Sequence, residues 1–549
     1  MIFSRSWFTL FFVFGSVWSA FYSTSAQSIT ESIRISLEKA TQVQPASLLG
    51  RRLIHVDQLY PFYAQHQFLS LWSSQGKLSS LAYELRFELR QSKADGLDPE
   101  DYHLTTIDAF IEKFENLGPV TDPVDVQELA QLDILLTDAF FALAKDLDIG
   151  KINPNQSKLR WSIPRASVSM DYEMLLWEAR QKQELGPLLR RLYPPTPSYE
   201  KGKRYFRQLQ QLSLEHPSAW KALPSTRSIR PGDSNPLLKQ VRERLKFWGY
   251  PIINSTTEVE EYDSTLFQQV IRFQKDRGIV QDGVLGKSTL EELNVSPEQL
   301  MDKIIVNLER LRWIPDSYFE QEAVLVNIPS FRLVYRSTRD TLFSTKVIVG
   351  KLTHPTPIFA ASLSYLVFSP YWNIPPSIAK NETLPAIRKN RGYLQKNNME
   401  VVTPSGRPVP LSQVNWYASP FPYLIRQKPG SDNALGLVKF MFPNPNNVYL
   451  HDTPSKHLFD AEVRTFSHGC IRMQHPKEFA KILVRGYPGW TEEKMEAAMH
   501  QDHEEIFPLN SSIPIAILYL TFLVEEQGRP RFFPDVYRRD DYLLELLRN

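Results

Sequence analysis

The chain has 549 residues, 42% apolar and 23% charged, with 63 basic against 61 acidic side chains. That length exceeds what one ordinary hydrophobic core covers and implies roughly two to four domains. The near balance of charge supplies no field that favours nucleic acid or an anionic membrane, so a polyanion partner is not indicated.

The N-terminus reads as an export signal over residues 1–26. Arg5 gives a positive start, an apolar run covers about Trp7 to Tyr22, and Ser23-Thr24-Ser25-Ala26 offers small residues for cleavage. The same run is nearly long enough to remain as a membrane anchor, since a span needs about 20 apolar residues. The small residues that close the segment favour cleavage after Ala26. An exported protein usually pairs its cysteines or has none, whereas this chain has one, Cys470. With no internal partner it is either a buried inert thiol or a reactive one.

Residues 27–225 read as a helical scaffold, with helical spacing of apolar residues in Leu69–Leu89 and Leu129–Leu147 and punctuation at Gly96, Pro99, Asn153 and Pro154. Its aromatics, such as Trp72, Trp161 and Trp177, fit core positions better than a ligand platform. A compact unit of three helices follows at 234–297. Its helices are expected around Leu237–Trp248, Ser264–Arg277 and after Gly286, with Asp263 or Ser264 as a cap. Leu237, Val241, Leu245, Phe267, Val270, Ile271 and Phe273 are its expected core.

From about Ala323 the period changes to strands, in "AVLVNIPSFRLVYRS", "FSTKVIVG", "LSYLVFSPYWNIP", "LVKFMF" and "NVYLHD". This β-rich domain is expected over 301–510. It is interrupted at 376–435 by a mixed, proline-rich stretch, too long without clear strands for a plain loop and so read as an inserted subdomain or lid. Residues 511–549 read as a closing β-hairpin, turning near Gln527-Gly528, and a tail.

The chemistry concentrates in "VYLHDTPSKHLFDAEVRTFSHGCIRM", which places His451 nineteen residues before Cys470 and sets Ser467-His468-Gly469 directly before the thiol. A nucleophilic thiol needs a base to take its proton, and both histidines are candidates. Gly469 lets the chain turn without a Cβ, so that successive backbone N–H groups can converge on one oxygen. His354, His457 and His475 fit ordinary surface or core roles. No metal is expected, because neither H-E-x-x-H nor C-x-x-C occurs. Tyr371 and Trp372 stand before the insertion, either lining a cleft or packing in a core.

The pattern H-x15-S-H-G-C resembles the catalytic signature of the L,D-transpeptidases. "NLERLRWIP", "SPYWNIPPSIAKNETLP" and "RQKPGSDNALGLVKFMFPN" resemble their large multidomain members. "LFQQVIRFQKDRGIVQDGVLGKSTLEELN" resembles the three-helix peptidoglycan-binding module of cell-wall enzymes. The resemblance implies an α+β multidomain protein with a helical scaffold, a small three-helix peptidoglycan-binding module and a β-sandwich-like catalytic domain carrying an inserted cap.

For the site, the resemblance implies Cys470 as the acylated nucleophile, His451 as proton acceptor and donor, and the carbonyl of Asp452 as the group that orients it. His468 would shape the turn and assist electrostatically. The N–H groups of His468, Gly469 and Cys470 would serve an oxyanion, with the Tyr449 hydroxyl added, and Tyr449 and Ser467 would contact the substrate. Arg472 stands where smaller relatives have asparagine; its guanidinium would hold a substrate carboxylate or form an internal ion pair.

The implied reaction releases terminal D-alanine from a tetrapeptide stem, leaves a thioester on Cys470, and passes the acyl group to an amine of a second stem, cross-linking two third-position diamino acids. Resolution by water would make an L,D-carboxypeptidase instead, and a noncatalytic wall-binding scaffold is the rival from another class. The resemblance further implies no cofactor, a periplasmic location by cleaved signal or inner-membrane anchor, carbapenem reactivity, and peptidoglycan stem peptides and glycan as partners, with other cell-wall synthesis enzymes admitted.

Overall fold

The computed structural model describes residues 29–549 apart from 43–44, 157, 165–169, 216–219, 253–259, 339 and 525–527. The expected export signal or anchor at 1–26 lies outside the described residues, as does Gln527 of the expected C-terminal turn. No helix among the described residues is long and apolar enough to cross a membrane.

The N-terminal part is organised by one helix, α1 (Pro123–Ile149). Asp122 caps it by accepting from Val124 N, proline takes its first position, and Gly150 follows its end. It is apolar on nearly every face because helices and loops surround it, as expected of a helix at the centre of a core. Two of its buried carboxylates hold loops in place. Asp133 accepts from the N–H of Leu71 and Trp72, and Asp138 from those of Ile54 and His55. Trp72 is buried in this core and Trp177 packs at its edge. Trp161 belongs elsewhere: with Ser162 it forms a short strand parallel to Ile358 and Phe359 of the β-rich domain, and its ring packs edge-on to Trp313.

The three-helix unit contains α2 (Leu237–Phe247), α3 (Ser264–Asp276) and α4 (Lys287–Leu293). Asp263 is the cap of α3, accepting from Leu266 N at 2.7 Å. Leu237, Val241, Leu245, Val270 and Phe273 form its core, joined by Leu266, Leu285 and Leu293, with Phe267 packed against them. Ile271, expected in that core, is only half-buried and stands outside it. A capping box at Ser296 and Gln299 starts α5 (Pro297–Arg312), which carries the chain into the β-domain.

That domain is built on β1 (Ala323–Asn327), β2 (Arg332–Arg336), β3 (Thr341–Gly350), β4 (Ile358–Phe368), β5 (Val438–Met441), β6 (Leu450–His451), β7 (Thr465–Ser467), β8 (Ile471–Met473) and β9 (Glu505–Leu518). The order is β5-β6-β8-β3-β2-β1-β9-β4, and β4 pairs in turn with β5, so the sheet closes on itself. β1 with β9 and β6 with β8 run parallel, the other pairs on this path antiparallel. Closure leaves no free edge along this path. The interior is filled by alternating apolar residues of facing strands, among them Val324, Val326, Leu366, Phe368, Phe440, Leu450, Ile471 and Ile517.

The insertion has a core of its own, made by Ile374, Leu384, Ile387, Val401, Trp416 and Ile425. It contains two strands that the sequence pattern did not reveal, Met399–Val402 and Leu424–Gln427, which pair antiparallel; Leu424–Gln427 also pairs antiparallel with Trp372–Asn373, from the expected strand run just before the insertion. At the C-terminus Phe522–Val524 pairs with Pro530–Phe532, and a helix, Asp540–Arg548, packs against α5.

Candidate active site

Cys470 stands in the turn between β7 and β8. The turn is set by Ser467, whose hydroxyl donates to the Cys470 carbonyl at 2.5 Å and accepts from Gly469 N at 3.1 Å. Gly469 has φ +119°, a conformation that costs a residue with a Cβ, and open space around it shows that the backbone, not crowding, requires glycine. Thr356 holds the same turn from outside by donating its hydroxyl to the Gly469 carbonyl at 2.8 Å. The Gly469 N–H, expected to face an oxyanion, donates to the Ser467 hydroxyl in this turn.

His451 reaches the site from β6, which runs beside β8 with Leu450 opposite Ile471 and His451 opposite Arg472. The imidazole is buried, and its Nδ1 lies 2.5 Å from the Asp452 carbonyl oxygen. Since a carbonyl only accepts, Nδ1 carries the proton and Nε2 is left as the basic nitrogen. Asp452 is itself fixed: its carboxylate accepts from Leu437 N at 2.9 Å, Thr453 N at 2.7 Å and Lys456 Nζ at 2.7 Å. Gly436 permits this approach, because a Cβ there would come within 2.3 Å of the Asp452 carboxyl.

The half-buried thiol is bounded by Tyr449 and Asn447. Sγ lies 3.8 Å from the Asn447 carbonyl. Tyr449 meets the sulfur with both its hydroxyl and its backbone N–H, and both contacts favour thiolate. Burial outweighs them and pushes the Cys470 thiol up, while Arg472 draws it down. His451 is depressed to about 3, first by burial and then by the charge of Arg472. The resting pair is therefore neutral thiol and neutral imidazole. Among the described residues no carboxylate pairs with Arg472, and its buried Nε has no hydrogen-bond partner.

His468 faces the opposite way. Its Nε2 lies 3.1 Å from Glu382 Oε1, in the insertion, and 3.4 Å from Lys351 Nζ, and its ring stands 5.2 Å from that of His354. Tyr371 and Trp372 are held by other partners: Arg426 covers the Tyr371 ring at 4.1 Å, Tyr371 N donates to Glu504, and Trp372 packs on the core of the insertion. The structure thus gathers Cys470, His451, Tyr449, Ser467, Gly469 and Arg472, with His468 on the rim. Asn447, Thr356 and Glu382 are contributors that the sequence reading missed. "PNPNN" advertises a turn, yet nothing in it says that one carbonyl will face the thiol.

The chain matches three family models: a "Scaffold domain" over residues 57–205, a "Putative peptidoglycan binding domain" over 234–293 and an "L,D-transpeptidase catalytic domain" over 321–490. It is 33% identical over 254 residues to a "Putative L,D-transpeptidase" of Haemophilus influenzae, an alignment covering 46% of this chain and 50% of that protein. The chain therefore spans about half the length of the curated relative it matches. Two solved structures are similar at 14% identity each. An L,D-transpeptidase of Xylanimonas cellulosilytica has a TM-score of 0.18, covering 54% of this chain and 99% of that one. An L,D-transpeptidase of Stackebrandtia nassauensis has a TM-score of 0.21, covering 54% and 96%. Family models and strand pattern agree with the α+β organisation seen here, and the chain carries an L,D-transpeptidase catalytic domain together with a peptidoglycan-binding domain.

Proposed function

We propose that this protein is a peptidoglycan L,D-transpeptidase that works through a thioester on Cys470. The observation that carries this reading is the His451 imidazole, buried one strand from the thiol, with Nδ1 bound to a backbone carbonyl and Nε2 left as the base. As the thiol attacks the carbonyl of the third stem residue, the S–C bond forms and His451 takes the thiol proton. The oxyanion is met by the N–H groups of His468 and Cys470, with the Tyr449 hydroxyl beside them. The C–N bond to the terminal D-alanine then breaks, and the amine leaves with the proton from His451. In the second step an acceptor amine attacks the thioester, His451 removes its proton, and sulfur leaves as thiol.

An unpaired guanidinium beside the nucleophile suits a stem carboxylate better than an internal ion pair, and this is the role we give Arg472. The three-helix unit, 234–297, would hold the enzyme to its polymer in the periplasm. Incubating the protein with tetrapeptide muropeptides and reading the products by mass spectrometry tests the proposal. Cross-linked dimers support it, trimmed tripeptides alone identify a carboxypeptidase, and unchanged substrate rejects an enzymatic role.

A further inference from the structure

A cavity of about 360 Å³ lies away from the thiol, where four parts of the chain meet: the loop before Trp161, helix α5, the turn after β3 and the C-terminal segment from Tyr537. Its wall carries Lys158, Arg160, Arg310, Arg538 and Arg539 and no acidic side chain. Only Arg310 has a carboxylate partner among the described residues, Asp540 at 2.6 Å. Two donors of the wall also lack acceptors. Trp161 is 4% exposed, and its indole Nε1 bonds nothing; the buried Nη1 of Arg539 is in the same condition.

Native structures rarely leave a buried donor unsatisfied, and two on the wall of one cavity call for an acceptor inside it. Water would supply an oxygen but no charge. Of the four cations without a carboxylate among the described residues, Lys158, Arg160 and Arg538 are exposed and Arg539 lies over the Tyr519 and Tyr537 rings, so their summed charge favours a negative acceptor over water. Burial first, and then the neighbouring Arg310 and Arg160, hold the Arg539 guanidinium below the usual arginine range, a cost that a bound anion offsets.

We propose that this cavity binds a small oxyanion, a carboxylate or a phosphate, seated on Arg539 and the Trp161 indole and drawn in by Lys158, Arg160 and Arg538. The seat is connected to the catalytic turn. Tyr537, also in the wall, donates its hydroxyl to the Gly350 carbonyl at 2.6 Å and accepts from Thr356 N at 3.2 Å. Thr356 is the residue that holds the Gly469 carbonyl. A ligand in the cavity therefore packs against the support of the turn that carries Cys470.

Isothermal titration of the full chain at low ionic strength, with inorganic phosphate in one arm and glutarate in the other, tests this. The expected result is saturable binding of one ligand per chain in at least one arm; the arm that saturates identifies the ligand chemistry. Arg160 and Arg538 are exposed, so the Arg160→Gln/Arg538→Gln variant keeps its fold, checked by its melting temperature, and weakens binding by about tenfold or more. Trp161→Phe, which removes the indole donor at nearly constant shape, weakens it further. Absence of saturation in both arms, or unchanged affinity in the double variant, overturns the proposal.

Discussion

Replacing His451 by alanine separates two candidate bases, of which sequence proximity to Cys470 would favour the other, His468. In the folded protein burial pushes the thiol up, so at pH 7 only a minor fraction of Cys470 is thiolate. Without a proton acceptor only that fraction reacts. The loss should reach about 10²-fold or more, inside the 10²–10⁴ range usual for general-base help. The rate of His451→Ala should then climb about tenfold per pH unit between 7 and 9, as thiolate forms. His468→Ala removes a ring whose Nε2 is bound to Glu382 at the rim, and its effect should be smaller. Carbapenem acylation of Cys470, followed as a mass increase over time on folded proteins at several pH values, measures all three; Cys470→Ala should take up no mass. If His451→Ala acylates at the wild-type rate near neutrality while His468→Ala does not, the two assignments are reversed.

Three further outcomes follow from the same geometry. His451 is held neutral in the folded state at about 3, against 6.5 ordinarily, so unfolding takes up a proton as pH falls between these values. Wild type should lose stability there relative to His451→Ala by up to about 1.4 kcal/mol per pH unit, and parallel denaturation curves for the two would refute this. Glu382→Gln breaks an exposed contact worth less than about 1 kcal/mol, so hydrogen exchange over residues 379–389 should rise while β4 and β9 stay unchanged; no change means that the contact does not hold the insertion. Residues 234–297 should co-sediment with insoluble sacculi at moderate salt, and complete recovery in the supernatant rejects wall binding by that unit.

Local signals made the architecture readable where one residue type has one physical use. Asp263 before an apolar helical repeat reads as a cap and is one. Alternating runs such as "AVLVN" and "FSTKVIVG" lie in strands because both sheet faces must be filled. The candidate site is legible because His451, Gly469 and Cys470, which the fold brings together, are compressed into a short stretch. What escaped was long-range. Met399–Val402 and Leu424–Gln427 are four residues each, and their pairing depends on a chain reversal of about twenty residues that no local pattern encodes. Trp161 carries nothing to mark it as a strand partner of Ile358. Thr356 and Tyr537 support Gly469 from 113 and 68 residues away, and only closure of the sheet brings them there.

The choice of His451 over His468 rests finally on where each can put a proton. His468 has its Nε2 engaged by Glu382 of the insertion at 3.1 Å and by Lys351 Nζ at 3.4 Å. His451 is buried, with Arg472 opposite it in the parallel ladder, so its imidazolium is costly. A proton taken from sulfur there leaves again as soon as the departing amine can accept it, which is what acyl transfer to a poor leaving group requires. A substrate carboxylate on Arg472 would cancel part of the charge that opposes this imidazolium and so raise the basicity of His451 only when a stem is bound. In the empty site Arg472 is uncompensated, His451 stays a weak base and burial keeps Cys470 a thiol, which guards it from reaction until substrate arrives.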